Sequence, residues 1–231
     1  MSADTTATTA TTARAPETRV VVRPMGNPLP LGFLALMVAT VALAMLQLHV
    51  VPPEQGRVVA AGILGLTVPL QLAACVLGFL ARDPVAGTGM GVLAGTWAAV
   101  AFALLLSPPG ATSSALGVLL LCSAVAMCVP TTAATSKLAA MAVMGLSALR
   151  FAVTGVGQLT GSSAWLTVAG WVGLALGVVA AYAALSFELE DARHSTVLPV
   201  GRRGGGDDTM TASTAEELAS LPHEAGVRKQ L

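Results

Sequence analysis

The sequence predicts an all-α membrane protein with six transmembrane helices and polar tails, and its composition and its long apolar runs support this class. Of the 231 residues, 55% are hydrophobic and only 10% are charged, whereas a soluble domain carries about 25% charged residues. So few charges cannot cover a water-facing surface. The formal net charge of zero gives no basic patch for nucleic acid, so no nucleic-acid partner is expected.

Turn residues and charges divide the middle of the chain into six apolar runs. A hydrocarbon core about 30 Å thick needs roughly 20 consecutive apolar residues in a helix. Segments such as "VPPEQGR", "ARDP" and "SPPGATS" separate runs of that length. The predicted spans are approximately 31–50, 58–81, 86–106, 112–130, 138–159 and 164–187.

The two ends of the chain differ from the middle in composition. Residues 1–24 are rich in Thr and Ala with scattered arginines, and they lack the apolar stretch of a secretory signal peptide. We expect a disordered cytoplasmic arm there. Residues 25–201 are predicted to form a six-helix transmembrane domain. The polar residues 202–231, which include "RRGGGDD", are predicted to form a disordered cytoplasmic tail.

Cationic residues predict the orientation in the membrane, because Lys and Arg are enriched in cytoplasmic loops. Ten of them fall in the N-terminal arm, in the second and fourth loops and after the sixth span, whereas only Arg57 falls on the other side. Ten arginines against two lysines, beside abundant Ala, Gly and Val, suggest a bacterial genome of high GC content. The prediction is therefore a multi-pass protein of the bacterial inner membrane with both termini in the cytoplasm. The lipid bilayer is its first expected partner.

Small residues recur at helical spacing in two spans. Gly87, Gly91 and Gly95 share one face of the third span, and Gly173 and Gly177 share one face of the sixth. Such faces let another backbone approach closely. Two interpretations stay open: packing within the protomer, or packing against a second protomer of a homo-oligomer.

Pro69 lies near the middle of the second span, between Thr67 and Gln71. A proline removes one intrahelical hydrogen bond and kinks the helix. In lipid, the freed carbonyl must find a partner or line a wet cavity. The segment is therefore either a structural kink or a polar break on a substrate pathway.

Arg150 is the most informative residue, because it is a charge deep inside the fifth span. A charge near the middle of a bilayer costs about 2.5–3.5 kcal/mol on insertion scales. Ser147 precedes it by three residues, Thr154 follows it by four and Gln158 follows Thr154 by four, so the four residues form one polar stripe. The stripe could line a water-filled path on which a guanidinium favours carboxylates. Alternatively, Arg150 bonds backbone carbonyls or extends towards the interface.

Other functional classes have little support in the sequence. "GRRGGGDD" lacks the pattern of a phosphate-binding loop. His49, His194 and His223 stand far apart, so neither a metal cluster nor a hydrolase triad is supported. The three cysteines fall inside apolar runs and are expected to be small buried hydrophobes. We therefore expect no enzyme, no cofactor and no metal.

Three short motifs carry a resemblance to a known family. "NPLPLG" at 27–32 resembles the Asn-Pro-Ala-Pro-Leu-Gly signature of the acetate uptake transporter family, also called succinate–acetate permeases. "AGWVGLALGVVAAYAAL" at 169–185 resembles the sixth helix of that family, and "TVLPVG" at 196–201 resembles its segment after that helix. The matching signature residues are Asn27, Pro28, Pro30, Leu31, Gly32, Leu198, Pro199 and Gly201.

The resemblance implies six helices per protomer, a hexamer and a pore through each protomer. It also implies passage of monocarboxylates, chiefly acetate, with succinate in some members and with proton coupling as symport. The bulky residues that narrow the pore in the family correspond here to Leu36, Ala94 and Ser147. The chain is therefore similar to a divergent member whose constriction is wider or whose substrate differs.

The first hypothesis is a transporter or channel for small carboxylates, and the alternative is a non-transporting membrane scaffold or sensor partner with the same fold. A third class, an intramembrane enzyme, lacks clustered acid, base and metal-binding groups. For the first hypothesis, the candidate pathway residues are Asn27, Leu36, Gln71, Ala94, Ser147, Arg150, Thr154 and Gln158.

Overall fold

The computed structural model describes residues 26–193 and 195–203. Within them lie six helices that are long and apolar enough to cross a membrane, which confirms the predicted all-α class. The predicted arm 1–24 and all but two residues of the predicted tail lie outside the described residues. The helices are α1 (Leu29–Gln47), α2 (Pro53–Leu80), α3 (Pro84–Leu106), α4 (Ser114–Ala133), α5 (Leu138–Thr160) and α6 (Ser163–Arg193).

Two helices extend further than the apolar runs predicted. α4 continues through Pro130 to Ala133 instead of ending at the proline. α6 continues past the predicted end at 187 to Arg193. Its 31 residues span roughly 46 Å, which exceeds a hydrocarbon core of about 30 Å. The last turns of α6 therefore project beyond the membrane and carry acidic residues there.

The helices form a closed ring. Each one packs against the next along the chain, and α6 packs against α1. The inner side of the ring is filled by large buried side chains such as Phe33, Trp97 and Phe187. The outer side is also apolar, with exposed residues such as Phe79 and Trp171. Helices that are apolar on all sides are typical of membrane proteins.

The cysteines are less buried than expected. Cys75 is partly buried, whereas Cys122 and Cys128 are exposed on the outside of α4, and all three thiols are free. The expectation of buried cysteines was wrong because an apolar residue of a membrane ring can lie on the outer surface as well as in the core.

Glycines bring α3 against α2. A Cβ on Gly78 would lie 2.7 Å from the backbone nitrogen of Gly87. A Cβ on Gly91 would lie 3.1 Å from the sulfur of Cys75. Both glycines of α3 therefore serve packing within the protomer. Gly95 differs, because, apart from its chain neighbours and the nearby backbone of its own helix, no described atom lies within 4 Å of its would-be Cβ.

α2 changes its helical pitch just before Pro69. Residues Ile63–Thr67 form a π-helical turn, and regular α-helix resumes at Val68. A proline cannot donate a backbone hydrogen bond and its ring clashes with the carbonyl four residues earlier, so the wider turn accommodates it. Within the same turn, the Thr67 hydroxyl donates to the carbonyl of Ala35 on α1 at 3.0 Å. The bond joins α2 to α1 at the kink.

Residues 196–203, called here the C-terminal strap, cap the start of α5. The amides of Leu138 and Ala139 donate to the carbonyls of Gly201 and Val200 at 3.1 and 3.0 Å. These are amides at a helix start, which have no intrahelical partner. Gly201 has φ +65° and would place a Cβ 2.7 Å from that of Leu138, so glycine is required. The strap therefore holds α5 and gives the "TVLPVG" motif a structural role.

Ionic and polar contacts tie the same end of the ring together. Arg202 of the strap pairs with the buried Glu190 of α6 at 2.5 Å. Lys137, just before α5, pairs with Asp83, just before α3, at 3.3 Å. The amide of Asn27 donates to the carboxylate of Asp191 at 3.4 Å. We refer to this end as the tied end, and it includes the start of the "NPLPLG" motif.

Candidate functional site

Arg150 lies about halfway along α5 and is fully buried. Its Nη1 donates to the backbone carbonyl of Ala169 on α6. Among the described residues, its Nε and Nη2 have no hydrogen-bond partner. The interpretation that Arg150 bonds a backbone carbonyl is therefore correct for one nitrogen. It leaves the other two buried donors unexplained.

Gly173 makes room for the guanidinium on α6. A Cβ at this position would lie 2.6 Å from Cζ of Arg150 and 2.9 Å from both Nε and Nη2. The carbonyl of the same glycine accepts the hydroxyl of Thr40 on α1 at 3.3 Å. Gly173 therefore serves packing within the protomer, and it lies directly beside the unpartnered edge of Arg150.

The unpartnered edge of Arg150 has a specific chemistry. Nε–H and the adjacent Nη2–H point in parallel from one side of the planar guanidinium, which is the geometry that binds both oxygens of a carboxylate. Buried polar groups in native proteins are nearly always hydrogen-bonded. A buried, cationic and unpaired fork inside a membrane protein is a candidate anion site.

The other members of the polar stripe have their own partners. Ser147 and Thr154 donate their hydroxyls to the carbonyls of Val143 and Arg150, four residues earlier on the same helix, each at 2.8 Å. Gln158 accepts the amide of Ser113 at 2.8 Å. The stripe faces the interior, but Arg150 is the member that keeps free donors.

A cavity of about 250 Å³, called here the vestibule, lies at the end opposite the tied end. It is formed by the loops that join α1 to α2, α3 to α4 and α5 to α6. Gln158 of the stripe is among its lining residues, whereas Thr154 and Arg150 are not. The vestibule therefore stops about two helical turns, or roughly 12 Å, short of Arg150. Its polar lining residues include Gln47, His49, Arg57, Ser107, Ser113 and Gln158.

Gln71 and Asn27 occupy different environments. Gln71 lies on α2 one turn after the π-helical turn, is fully buried, and neither amide atom has a partner among the described residues. The side chain of Asn27 accepts the amide of Leu29 at 3.1 Å at the tied end. Asn27 thus caps the start of α1, whereas Gln71 is a second unpaired polar group in the interior.

The positions expected to widen the pore do not leave the interior open. Leu36, Ala94 and Ser147 are all fully buried. The ring of Trp97 meets that of Phe151 at a centroid distance of 5.9 Å in an edge-on arrangement. Because α3 and α5 are not neighbours in the described ring, this contact crosses the interior. The aromatic pair supplies the bulk that Ala94 and Ser147 lack.

Trp97 and Phe151 were not among the predicted site residues, although their spacing from Ala94 and Ser147 indicates their position. Trp97 follows Ala94 by three residues, and Phe151 follows Ser147 by four. Both spacings keep the aromatic residue on the same helix face as Ala94 or Ser147. On both helices it lies about one turn further from the tied end.

No group of three or more His, Cys, Asp or Glu residues in the described part of the chain could hold a metal ion. The buried polar atoms without a partner in that part of the chain include those of Arg150, Gln71 and Trp97, and also one oxygen each of Gln47 and Glu190. The guanidinium, the amide nitrogen and the indole N–H are hydrogen-bond donors, which bind anions and polar solutes rather than cations.

Comparisons with known proteins agree with this architecture. The solved structure of the bacterial acetate channel SatP superimposes with a TM-score of 0.70 at 23% sequence identity, covering 77% of this chain and all of that one. That likeness shows a common fold. No curated protein matches the chain. The model of the GPR1/FUN34/yaaH family matches residues 10–201. The chain therefore belongs to the GPR1/FUN34/yaaH family, the acetate transporter family that its motifs resemble.

Proposed function

We propose that this protein is a membrane channel or transporter through which small carboxylates, acetate above all, cross the interior of the protomer. One observation carries the proposal: the Nε and Nη2 fork of Arg150, buried in the ring without a partner among the described residues. Family membership and the shared fold with an acetate channel support transport rather than catalysis.

The substrate path follows from the placement of polar groups. A carboxylate entering the vestibule meets Gln158 first and then the stripe that leads to Arg150. Beyond Arg150, towards the tied end, lie Ser147 of the stripe and the unpaired amide of Gln71. The path ends near Asn27 at the tied end. The residues between these points are packed, so passage requires movement of side chains in the interior.

Arg150 favours the ionised form of the substrate. Acetate and related acids have pKa values near 4–5 and are ionised at neutral pH. A neutral acid gains nothing from a guanidinium in the membrane, whereas an anion is stabilised by charge and by two parallel hydrogen bonds. Holding an uncompensated arginine in the membrane costs free energy. The selectivity for carboxylates that it confers explains why it is present.

The test is uptake of radiolabelled acetate into proteoliposomes that contain the full-length protein. The wild type is expected to show saturable uptake. Arg150→Gln is expected to lower it at least about tenfold, because charge-assisted hydrogen bonds are lost. Arg150→Lys is expected to fall between the two, because an ammonium keeps the charge without the planar fork. Arg203→Gln is the matched control, because Arg203 is exposed at the tied end.

Two results would contradict the proposal. Equal saturable uptake by the wild type and by Arg150→Gln would remove Arg150 from the mechanism. An assembled wild-type protein without acetate flux would favour the scaffold or sensor-partner alternative. Initial rates of acetate uptake are also compared with and without an imposed proton gradient. The gradient accelerates proton symport, whereas it does not accelerate passage by a channel.

We propose that both termini lie in the cytoplasm. Arg82, Lys137, Arg202 and Arg203 belong to the tied end, whereas Arg57 lines the vestibule at the other end. The positive-inside rule then places the tied end on the cytoplasmic side. A fluorescent protein fused to the C-terminus should be protected from external protease in intact spheroplasts.

We also propose a homo-oligomer, with a hexamer as the expectation from the family resemblance. The outer face of α2 supports it, because apolar residues such as Val76, Phe79 and Leu80 are exposed there in a single protomer. A second copy or lipid would cover this face. Native mass spectrometry from mild detergent measures the number of protomers.

A further inference from the structure

We propose that Trp97 determines which anions cross this protein, by closing the interior against Phe151 and by donating its indole N–H to the carboxylate that Arg150 holds. The inference rests on the proposed function and adds to it a residue and a binding mode. It starts from a buried donor that the polar stripe does not include. The Nε1 atom of Trp97 has no hydrogen-bond partner in the part of the chain that the structure describes.

The position of Trp97 places this donor at the same depth in the membrane as the candidate anion site. Its side chain is fully buried, and its ring meets Phe151 across the interior at 5.9 Å. Phe151 follows Arg150 directly in the chain, about halfway along α5. Trp97 lies about halfway along α3. The indole and the guanidinium therefore lie at the same level of the membrane.

The chemistry of the indole explains why tryptophan is used here. A phenylalanine would fill the same space against Phe151 without burying a polar atom. Buried tryptophan N–H groups usually find a partner, and leaving one unpaired is unfavourable. An anion bound at Arg150 supplies the missing acceptor. A carboxylate has enough lone pairs to accept the two bonds of the fork and a third from the indole.

This arrangement selects by shape as well as by charge. A planar carboxylate can use the parallel donors of Arg150 and still present a lone pair to the Trp97 N–H. A spherical halide cannot match the fork in the same way. The aromatic contact also blocks the interior until the two rings separate, so solutes that gain nothing from the donors are kept out.

The decisive variant is Trp97→Phe, which keeps an aromatic ring against Phe151 and removes only the N–H. In proteoliposomes, the half-saturation concentration for acetate is expected to rise about tenfold, as for the loss of one hydrogen bond to a charged group. The half-saturation concentration for chloride is expected to change less than about twofold. Trp171→Phe is the matched control, because Trp171 is 63% exposed on the outside of α6.

A second measurement uses the wild-type protein. Titration with acetate should shift the indole N–H resonance of Trp97 in a ¹⁵N-labelled sample, whereas titration with chloride should not. The chain has three tryptophans, so the Trp165→Phe and Trp171→Phe variants identify the Trp97 signal by elimination. The measurement stands even if Trp97→Phe fails to fold.

The outcomes separate this inference from the proposed function. Two results would overturn the role of Trp97 alone, provided that acetate flux depends on Arg150. One is an unchanged half-saturation concentration for acetate in Trp97→Phe. The other is an indole resonance of Trp97 that does not shift with acetate. Wild-type protein without acetate flux would overturn the proposed function itself. A rise in the acetate half-saturation concentration together with an acetate-specific shift of the indole signal would support both.

Discussion

The Nη1–H of Arg150 on α5 donates a hydrogen bond to the backbone carbonyl of Ala169 on α6. The bond fixes the plane of the guanidinium, so the two remaining donors face a constant direction. A backbone acceptor cannot ionise or rotate away as a carboxylate side chain could. A neutral partner also leaves the positive charge uncompensated, which keeps it available for an anion. The same bond therefore anchors the arginine and preserves its attraction for a substrate.

Gly173→Ala is expected to impair transport without preventing folding. The added methyl would lie 2.6 Å from Cζ of Arg150 and 2.9 Å from its two free donors. The guanidinium must then move away from Ala169 or lose access to its ligand. We expect acetate uptake in proteoliposomes to fall by about tenfold, which corresponds to about 1.4 kcal/mol.

Gly95→Ala is the control for this variant. It adds the same methyl to a glycine of another span, where no described atom beyond its chain neighbours and the nearby backbone of the same helix lies within 4 Å. Its uptake should stay within about twofold of the wild type. Equal losses in the two variants would show that helix propensity, and not the Arg150 contact, explains the effect.

Gly201→Ala is expected to loosen the C-terminal strap. Gly201 has φ +65°, a conformation that costs other residues about 1–2 kcal/mol, and its Cβ would clash with Leu138. The free energy of unfolding should fall by about 2 kcal/mol, measured by denaturation in mild detergent. Gly26→Ala provides the comparison, because its Cβ would make only an ordinary contact at 3.6 Å with Asp191. A similar loss in both variants would contradict the strap's role.

The fold was largely predictable because it depends on the lengths of apolar runs, which are visible along the chain. The six predicted spans correspond to the six helices. The ends of α4 and α6 were not predictable to the same degree. Pro130 is a local stop signal, yet the helix continues through it. α6 continues to Arg193. Its Glu190 pairs with Arg202 of the strap, and the hydropathy of the sequence gives no information about such a contact.

The site was predictable only in part. Helical periodicity placed Arg150, Ser147, Thr154 and Gln158 on one face of α5, and that face does point into the ring. The role of each residue depends on neighbours that periodicity cannot supply, such as the carbonyl of Ala169. The spacing of Trp97 puts it on the same face of α3 as Ala94, but spacing alone does not show what that face contacts. An aromatic residue in an apolar run has the same local signal whether it faces lipid or crosses the interior.

Thr67→Val should separate the structural role of the α2 kink from a functional one. The variant keeps the shape of the side chain and removes the hydroxyl that donates to Ala35 of α1 at 3.0 Å. Hydrogen bonds between membrane helices contribute about 0.6 kcal/mol on average. We therefore expect a loss of about 1 kcal/mol in the free energy of unfolding, with acetate affinity unchanged. Thr160→Val, at an exposed hydroxyl that bonds its own helix, should change stability less. An altered acetate affinity in Thr67→Val would place the kink on the substrate pathway.

The two ion pairs at the tied end should differ in strength. The side chains of Glu190 and Arg202 are 5% and 13% exposed, whereas those of Asp83 and Lys137 are both 27% exposed. Disrupting a buried pair by neutralising one partner costs about 3–5 kcal/mol, and exposed pairs contribute about 0–1 kcal/mol. Glu190→Gln is therefore expected to lower the free energy of unfolding by about 3 kcal/mol. Lys137→Met should lower it by less than about 1 kcal/mol, and high salt should reduce that difference further. Equal losses in the two variants would mean that the strap is held by its backbone hydrogen bonds and not by the buried ion pair.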